Sequence, residues 1–410
     1  MAPQQKARTR KRRLHLDTPF WAATKGISVP MIAAPSSKSW DVIIMGSGIS
    51  GALMAEALSR QKGRILLLDR RPPARGSTLA STAMIQHEID VPLHRLARRI
   101  GPEKAARAWR RSVKAVHALE KLVARCGIEC DMQPKSALYL TGDEMGHRAM
   151  HTEFLARQEA GIASEYLDHA ELLRRYGIDR MAALLSRASA SANPARLTAG
   201  LLRLAAERGV EIASPVEVTD LAEGADSVAL ATSDGTILTA GQAIFCTGYE
   251  FLPQMESKAH RITSTWALAS QPRMARPDWL DGMLVWEAAD PYLYFRTAKD
   301  GRIIAGGEDR DDALAYKDPA LLRASTERII GKLHALCGIE IGAPAYVWAA
   351  PFGNTTDGLP IIDRVPGLSR CHAVMGFGGN GITFSMIAAE IVAARLAGHV
   401  DADEDLFAFR

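Results

Sequence analysis

Gly46-Ser47-Gly48-Ile49-Ser50-Gly51 sets three glycines at the spacing G-x-G-x-x-G. The flanking residues say what that spacing can do. Asp41 to Met45 is apolar throughout after its first residue, the pattern of a strand buried on both faces of a parallel sheet. Ala52 to Gln61 reads as a helix closed by Gly63. Ile65 to Leu68 reads as a second buried strand that ends at Asp69. Together they make one βαβ unit in about 30 residues. In such a unit the first glycine permits a tight turn. The second leaves room for a pyrophosphate, and the third lets the helix pack closely on the sheet. The helix N-terminus turns free N–H groups and a positive dipole end toward the phosphates. Asp69 stands where a carboxylate accepts hydrogen bonds from ribose hydroxyls, and Arg70 and Arg71 follow it. The chemistry indicated is dinucleotide binding.

Two further stretches favour FAD over NAD. Gly76-Ser77-Thr78-Leu79-Ala80-Ser81-Thr82 is a loop of hydroxyls and small residues, suited to a cofactor that extends past its pyrophosphate. Gly376-Phe377-Gly378-Gly379-Asn380-Gly381-Ile382-Thr383 again precedes a helix. A positive helix end there would stabilise the electron-rich edge of a reduced flavin. Hydride transfer to a flavin needs orientation and a dry pocket more than acid–base help. Tyr292, Tyr294 and Arg296 alternate and so share one face of a strand. Tyr292, Arg296 and His260 are the candidate catalytic residues; Gln86 and His87 follow the flavin loop within reach of substrate. Cys126 and Cys130 have no second ligand pair, so no metal is expected.

The remaining elements must carry these residues. A helix is expected over 101–125, and another opens at Asn193-Pro194 and runs to Gly209. Hairpins turn at Asp234-Gly235 and at Asp300-Gly301. Ala243 to Phe245 is a buried strand ending at Cys246-Thr247-Gly248, and a last helix runs from Ile382 to about Leu396. With 47% hydrophobic and 23% charged residues, the 410-residue chain has an ordinary globular balance, and no run of apolar residues is long enough to span a membrane. The formal charge of +4 is misleading. Residues 1–13 hold six basic side chains, and without them the charge is −2. No basic face speaks for nucleic acid. The expectations are a small-molecule substrate, no nucleic-acid partner, no stable membrane insertion and a cytoplasmic location.

The quoted motifs resemble the D-amino-acid oxidase/glycine oxidase superfamily of FAD-dependent oxidoreductases from about residue 38 to the C-terminus. DVIIMGSGISG with LLLDRR, RGSTLASTAM, FCTGYE, PYLYFR, TDGLPIIDRVPG and GFGGNGITFS carry the resemblance. It implies an α/β fold, a Rossmann-type FAD-binding domain with a second α+β substrate domain built on an antiparallel sheet. The division expected is a loose basic extension at 1–37, an FAD-binding domain at 38–130, 188–252 and 350–410, and a substrate domain at 131–187 and 253–349. Asp69 would hold the adenosine ribose, and Ser77, Thr78, Ser81, Thr82 and Met84 would line pyrophosphate and flavin. Val216 would meet the adenine through its backbone. Thr247-Gly248 would close on the cofactor, Gly378 to Thr383 would hold the pyrimidine side of the flavin, and Tyr292 would roof the substrate.

Departures from the family pattern bear on substrate. Amino-acid oxidases carry an arginine for the substrate carboxylate just before their TDGLP-like segment, and Phe352 stands at that place. Glycine oxidase has a second arginine in the C-terminal glycine loop, where this chain has Gly379. Ala350 replaces the cysteine, and Leu79-Ala80 the histidine, that attach flavin in some relatives. Non-covalent FAD is therefore expected. Ile304 at the place of an oxygen-activating lysine leans toward a dehydrogenase. The electron acceptor, oxygen or a carrier, stays open. The activity expected is hydride transfer from a small amine or N-substituted amino acid, giving an imine that hydrolyses. The alternatives are oxidation of a 2-hydroxy acid or a flavin-fold binding protein without turnover.

Overall fold

The computed structural model describes residues 12–410. Among these residues the chain builds two sheets. The first has eight strands. Its core order is Ile361–Arg364, Cys371–Met375, Ile237–Phe245, Ser39–Met45, Ile65–Leu68 and Glu211–Ala213. The five strands from Cys371–Met375 to Glu211–Ala213 run parallel to one another, while Ile361–Arg364 joins antiparallel at the edge. Apolar runs such as Ile65–Leu68 are buried on both faces, as that arrangement demands. Ile44 faces a cluster with the helices Ile49–Leu58, Pro194–Glu207 and Gly381–Leu396. Ile43 and Met45 face a second cluster with Leu230 and Phe245. The long helix expected at 101–125 is Pro102–Arg125, and the hairpin at Asp234-Gly235 joins Val228–Thr232 to Ile237–Phe245.

The second sheet has nine strands. Its main order is Tyr346–Thr355, His260–Ala269, Ile303–Arg310, Leu293–Thr297, Met283–Glu287, Gln133–Leu140, Ala182–Ser191 and Met84–Gln86. Only Met283–Glu287 and Gln133–Leu140 pair in parallel. The helix Pro319–Cys337 covers one face through Leu322, Ile329 and Leu333. Two segment boundaries expected from sequence, at 188 and 350, fall inside the strands Ala182–Ser191 and Tyr346–Thr355. Met84–Gln86, expected with the cofactor domain, pairs with Ala182–Ser191.

The segment before residue 38 departs from the loose extension expected. Leu16 bridges to Ala349 at one edge of the nine-stranded sheet, and Ile32 bridges to Ala213 at one edge of the other. Trp21 is buried against Leu79, Ile304 and Trp348 and donates its indole N–H to the Ser81 carbonyl at 2.7 Å. Burying a tryptophan removes a large apolar surface from water, which a polar-looking N-terminus concealed. Arg12 and Arg13 are tied as well, to Glu250, Arg71 and Tyr316. Residues 1–11, which hold the other four basic side chains, lie outside the described residues.

Candidate active site

A cavity of about 610 Å³ runs from the first glycine loop to the face of the nine-stranded sheet. At its phosphate end the chain is mostly backbone. Gly46 has φ +106, a conformation that strains any side chain. A Cβ on Gly51 would collide with the Gly46 carbonyl, so the helix Ile49–Leu58 can start where it does only with glycine there. A Cβ on Gly48 would stand 3.1 Å from Thr78 Oγ1, inside the space left for phosphate. Thr78 Oγ1 accepts the Ile49 N–H at 3.0 Å, and Ser50 Oγ meets Ser385 Oγ at 2.7 Å, joining the two glycine-loop helices.

Asp69 Oδ2 accepts from Ser47 N and Oγ at 2.7 and 2.6 Å, and Oδ1 from Arg71 N at 2.8 Å. Both lone pairs of Oδ2 are engaged, and Oδ1 keeps one for a ribose hydroxyl. Arg71 is held by Glu250, with Nη1 to Oε2 at 2.5 Å, and Arg70 pairs with Glu217 at 3.1 Å and with Glu250. Val216 donates its N–H to the Asp69 carbonyl at 2.8 Å and borders the cavity. This glycine-lined, backbone-rich cradle with an acid at its edge fits the adenosine diphosphate half of FAD. The cavity continues well beyond it, past Ser77, Ser81, Thr82, Met84, Thr247 and Gly248, as an isoalloxazine-bearing cofactor requires.

Gly378, Gly379, Gly381 and Ile382 border the far part of the cavity. Their loop is stapled to the segment after Met84–Gln86. Gly379 N donates to Asp90 Oδ2 at 2.8 Å, Asn380 Nδ2 to the Glu88 carbonyl at 2.9 Å, and Thr383 Oγ1 to the Gln86 carbonyl at 2.9 Å. Asn380 and Thr383 thus position the loop rather than line the cavity, and Ser47 and Gly51 do the same at the other loop. Where glycine oxidase relatives were expected to carry an arginine, a Cβ on Gly379 would meet Asp90 Oδ1 at 3.1 Å. A carboxylate fills the place of a cation.

The substrate end is lined by Tyr139, Trp286, Phe352, Tyr292 and Tyr294, with the carboxylates Asp90, Glu144, Glu287 and Asp309. Arg95 is the cation on this part of the wall among the described residues, and it is engaged with Glu144 at 2.5 Å to the carbonyl and 3.4 Å to the carboxylate. Tyr139 and Trp286 stack at 3.8 Å between ring centres. Tyr292 donates its phenol to Asp309 Oδ2 at 2.8 Å. Burial pushes the Asp309 carboxyl up to about 7, and it pushes Asp90 up as well. Burial also holds the Tyr292 phenol well above its usual value, so it stays a donor. Gln86 points Oε1 into the buried region with no partner among the described residues.

Three expectations need correction. Arg296 does not line this cavity. Its guanidinium is buried behind the flavin loop and donates to the carbonyls of Thr82, Ala192 and Thr297 at 2.9, 3.1 and 3.0 Å, with Trp21 below it. Its role is to brace Thr82. His260 does not line the cavity either. It packs edge-on against Phe251 beside Gly353, and burial lowers it to about 4, so it is neutral. His87 is likewise internal, bonded to the Ala188 carbonyl and set against Trp109. Arg261 is exposed, and Ile304 is packed against Trp21 and Trp348. Asp90, Asp309, Tyr249, Thr265 and Glu287 were missed. Nothing in the local sequence separates such carboxylates from surface ones. Among the described residues no group of side chains could hold a metal ion, and no helix is long and apolar enough to cross a membrane.

Known proteins share this fold and sequence pattern. A glycine oxidase structure from Geobacillus kaustophilus shares the fold at a TM-score of 0.73, 18% identity, 91% of this chain and 99% of that one. A probable oxidoreductase, OrdL, from Rhizobium meliloti is 23% identical over 89% of this chain and 84% of its own length. The tRNA 5-methylaminomethyl-2-thiouridine biosynthesis bifunctional protein MnmC of a Caulobacter species is 28% identical over 90% of this chain, which spans only 56% of that protein. The family model for DAO, FAD dependent oxidoreductase, matches residues 41–395. With both glycine loops in place around one cavity, the chain belongs to the DAO family of FAD-dependent oxidoreductases.

Proposed function

We propose that this oxidoreductase takes a hydride from a carbon next to the nitrogen of a small amine. The observation that carries this reading is the charge of the substrate end. Asp90, Glu144, Glu287 and Asp309 line it, Arg95 is already paired, and Phe352 and Gly379 stand where amino-acid oxidases grip a carboxylate. An ammonium gains charge-assisted hydrogen bonds there. A substrate carboxylate pressed against Phe352 loses water and gains no partner, which costs several kcal/mol. The same argument ranks amines without an α-carboxylate above N-substituted amino acids, and ranks 2-hydroxy acids last. Two relatives have names that fit a nitrogen-bearing substrate, a glycine oxidase and a methylaminomethyl-uridine biosynthesis protein.

FAD, when bound, accepts the hydride and its two electrons. The protein's own part is to hold the amine and to keep water away from it. Tyr292 and Asp309 hold the nitrogen, and the stacked pair Tyr139 and Trp286 with Phe352 and Tyr294 supply an apolar wall. The flavin is held without a covalent bond. No histidine borders the cavity among the described residues. Its cysteine, Cys246, lies against Gly46 at the phosphate end, with its thiol pushed up to about 12 by burial.

Anaerobic flavin bleaching tests this function. The panel holds benzylamine, N-methylbenzylamine, sarcosine, glycine, D-alanine and lactate. The amines should bleach the holoenzyme fastest and lactate slowest. Fast bleaching by glycine or D-alanine, with slow bleaching by the amines, would overturn the reading. Acid precipitation should release the flavin into the supernatant, and colour kept in the pellet would refute non-covalent binding.

A further inference from the structure

The strand Ile303–Arg310 contains an irregularity at the active site. Against its neighbour His260–Ala269, Ser264 pairs with Arg310 but Trp266 pairs with Gly307, so Thr265 alone stands opposite Glu308 and Asp309. This is a β-bulge, and such bulges re-aim side chains next to active sites. Ile303 and Ala305 face the cluster under the helix Pro319–Cys337, while Gly306 lies under the ring of Tyr294 on the cavity face. An unbroken strand would put residue 308 on the cavity face and residue 309 on the helix face. The bulge exchanges them. Glu308 turns to Arg328 and Lys332 of the helix, and Asp309 turns into the cavity. Glu308 has φ +61, a strained conformation for a residue that is not glycine.

Inside the cavity Asp309 is held on one side only. Oδ2 accepts from Tyr292, and Thr265 also bonds the carboxylate. Oδ1 is buried without a partner among the described residues. The charges around it are Asp90, on the loop stapled to Gly379, and Asp290, ahead of Tyr292. Tyr292 and Tyr294 face it as neutral phenols. Arg310, next in the chain, is exposed and lies over Trp266. A carboxylate fixed by two hydroxyls, with an open lone-pair side and no cation against it among the described residues, is suited to an N–H donor.

We propose that Asp309 is the proton acceptor of the reaction, taking a proton from the bound ammonium so that the amine reacts as its free base. The step is R–CH₂–NH₂⁺–R′ plus Asp309 carboxylate, giving R–CH₂–NH–R′ plus Asp309 carboxylic acid. The N–H bond breaks, the O–H bond forms at Oδ1, and the nitrogen keeps its electron pair. Hydride loss from carbon to FAD then leaves an iminium cation, which water converts to a carbonyl compound and an amine. Asp309 returns its proton to solvent after product leaves. The proposal rests on the amine reading above.

The test is stopped-flow anaerobic reduction of holoenzyme by N-methylbenzylamine, across about pH 5.5 to 10. In the native enzyme the reduction rate should rise with pH through a limb near the Asp309 value of about 7 and then level off. The sign follows from the need for an ionised acceptor. Asp309→Asn should lose that limb, react about 100-fold more slowly at pH 7, and recover as the free amine accumulates at high pH. Its flavin content and visible spectrum should match the native enzyme. Tyr292→Phe keeps the carboxylate but removes a hydrogen bond to its ionised form, so its limb should move to higher pH. This second variant decides the matter if Asp309→Asn does not fold. An unmoved limb in Tyr292→Phe, or an Asp309→Asn enzyme with native rate and limb, would overturn the proposal while leaving the amine reading standing. If no amine of the panel bleaches the native enzyme, the amine reading fails and this proposal with it.

Discussion

The two ends of one cavity are built on opposite plans. The phosphate end is made largely of backbone, with Gly46, Gly48 and Gly51 clearing space and its carboxylates already engaged, Asp69 by Ser47 and Arg71 and Glu217 and Glu250 by Arg70 and Arg71. The substrate end is made of side chains, several of them acidic or aromatic, with acceptor atoms at Gln86 and Asp309 left without partners among the described residues. The first plan tolerates almost no change, because added atoms meet main chain that cannot move aside. The second tolerates change in shape and responds to change in charge. Cofactor binding and substrate choice should therefore separate cleanly under mutation.

The largest effect is expected at Gly51. Gly51→Val drives a branched side chain into the Gly46 carbonyl, and FAD content should fall below about a tenth of native as the turn is lost. Absorbance of the purified protein measures it, and a fully yellow variant would show that the turn is not the cradle. Next is Phe352→Arg, which adds a guanidinium where carboxylate-binding relatives were expected to have one. A bidentate pair contributes about 1.5–3 kcal/mol per charged hydrogen bond, so the rate ratio of sarcosine to N-methylbenzylamine should rise roughly 10- to 100-fold. An unchanged ratio would mean that residue 352 does not face the substrate.

Asp90→Asn should be milder. The single amide oxygen can still serve Gly379 N, and Asn380 Nδ2 gives up its Asp90 bond but keeps the Glu88 carbonyl. A negative charge on the cavity wall is gone, and amine affinity should weaken about tenfold with FAD content little altered. Equal affinity would place Asp90 among loop staples only. The smallest effect belongs to the N-terminus. Removing residues 1–13 cuts the bonds of Arg12 and Arg13 to Glu250, Arg71 and Tyr316, while the direct pair of Arg71 with Glu250 survives. Each such bond contributes about 0.5–1.5 kcal/mol, so FAD affinity should fall only a few-fold by titration of the apoprotein. A loss of all flavin would make this segment part of the cradle itself.

The same contrast explains what the sequence disclosed. The phosphate end was legible because its geometry requires glycine at fixed spacing between a buried strand and a helix, and those constraints are local. Asp69, Thr78 and the second glycine loop followed from the same logic. Tyr292 was legible through alternation, but Arg296 was not. Two side chains on one face of a strand can meet different neighbours, and Arg296 meets three carbonyls behind the flavin loop. Asp309 was illegible for a stronger reason. Regular alternation assigns it to the wrong face, and only the bulge opposite Thr265 turns it inward. Trp21 and Leu16 were present as apolar signals in the N-terminal stretch, overshadowed by the basic run before them.

The central claim is that the substrate end selects positive charge. Its most direct test uses two ligands of nearly equal shape that FAD cannot oxidise, tert-butylammonium and pivalate, titrated separately into holoenzyme at about pH 8, where both are fully charged. Perturbation of the flavin absorbance reports occupancy next to the cofactor. The account predicts saturable perturbation by tert-butylammonium and at least about tenfold weaker binding of pivalate, as one charge-assisted hydrogen bond against an unpaired buried carboxylate requires. Tighter binding of pivalate would contradict it, and would mean that the carboxylates lining this cavity do not govern what enters.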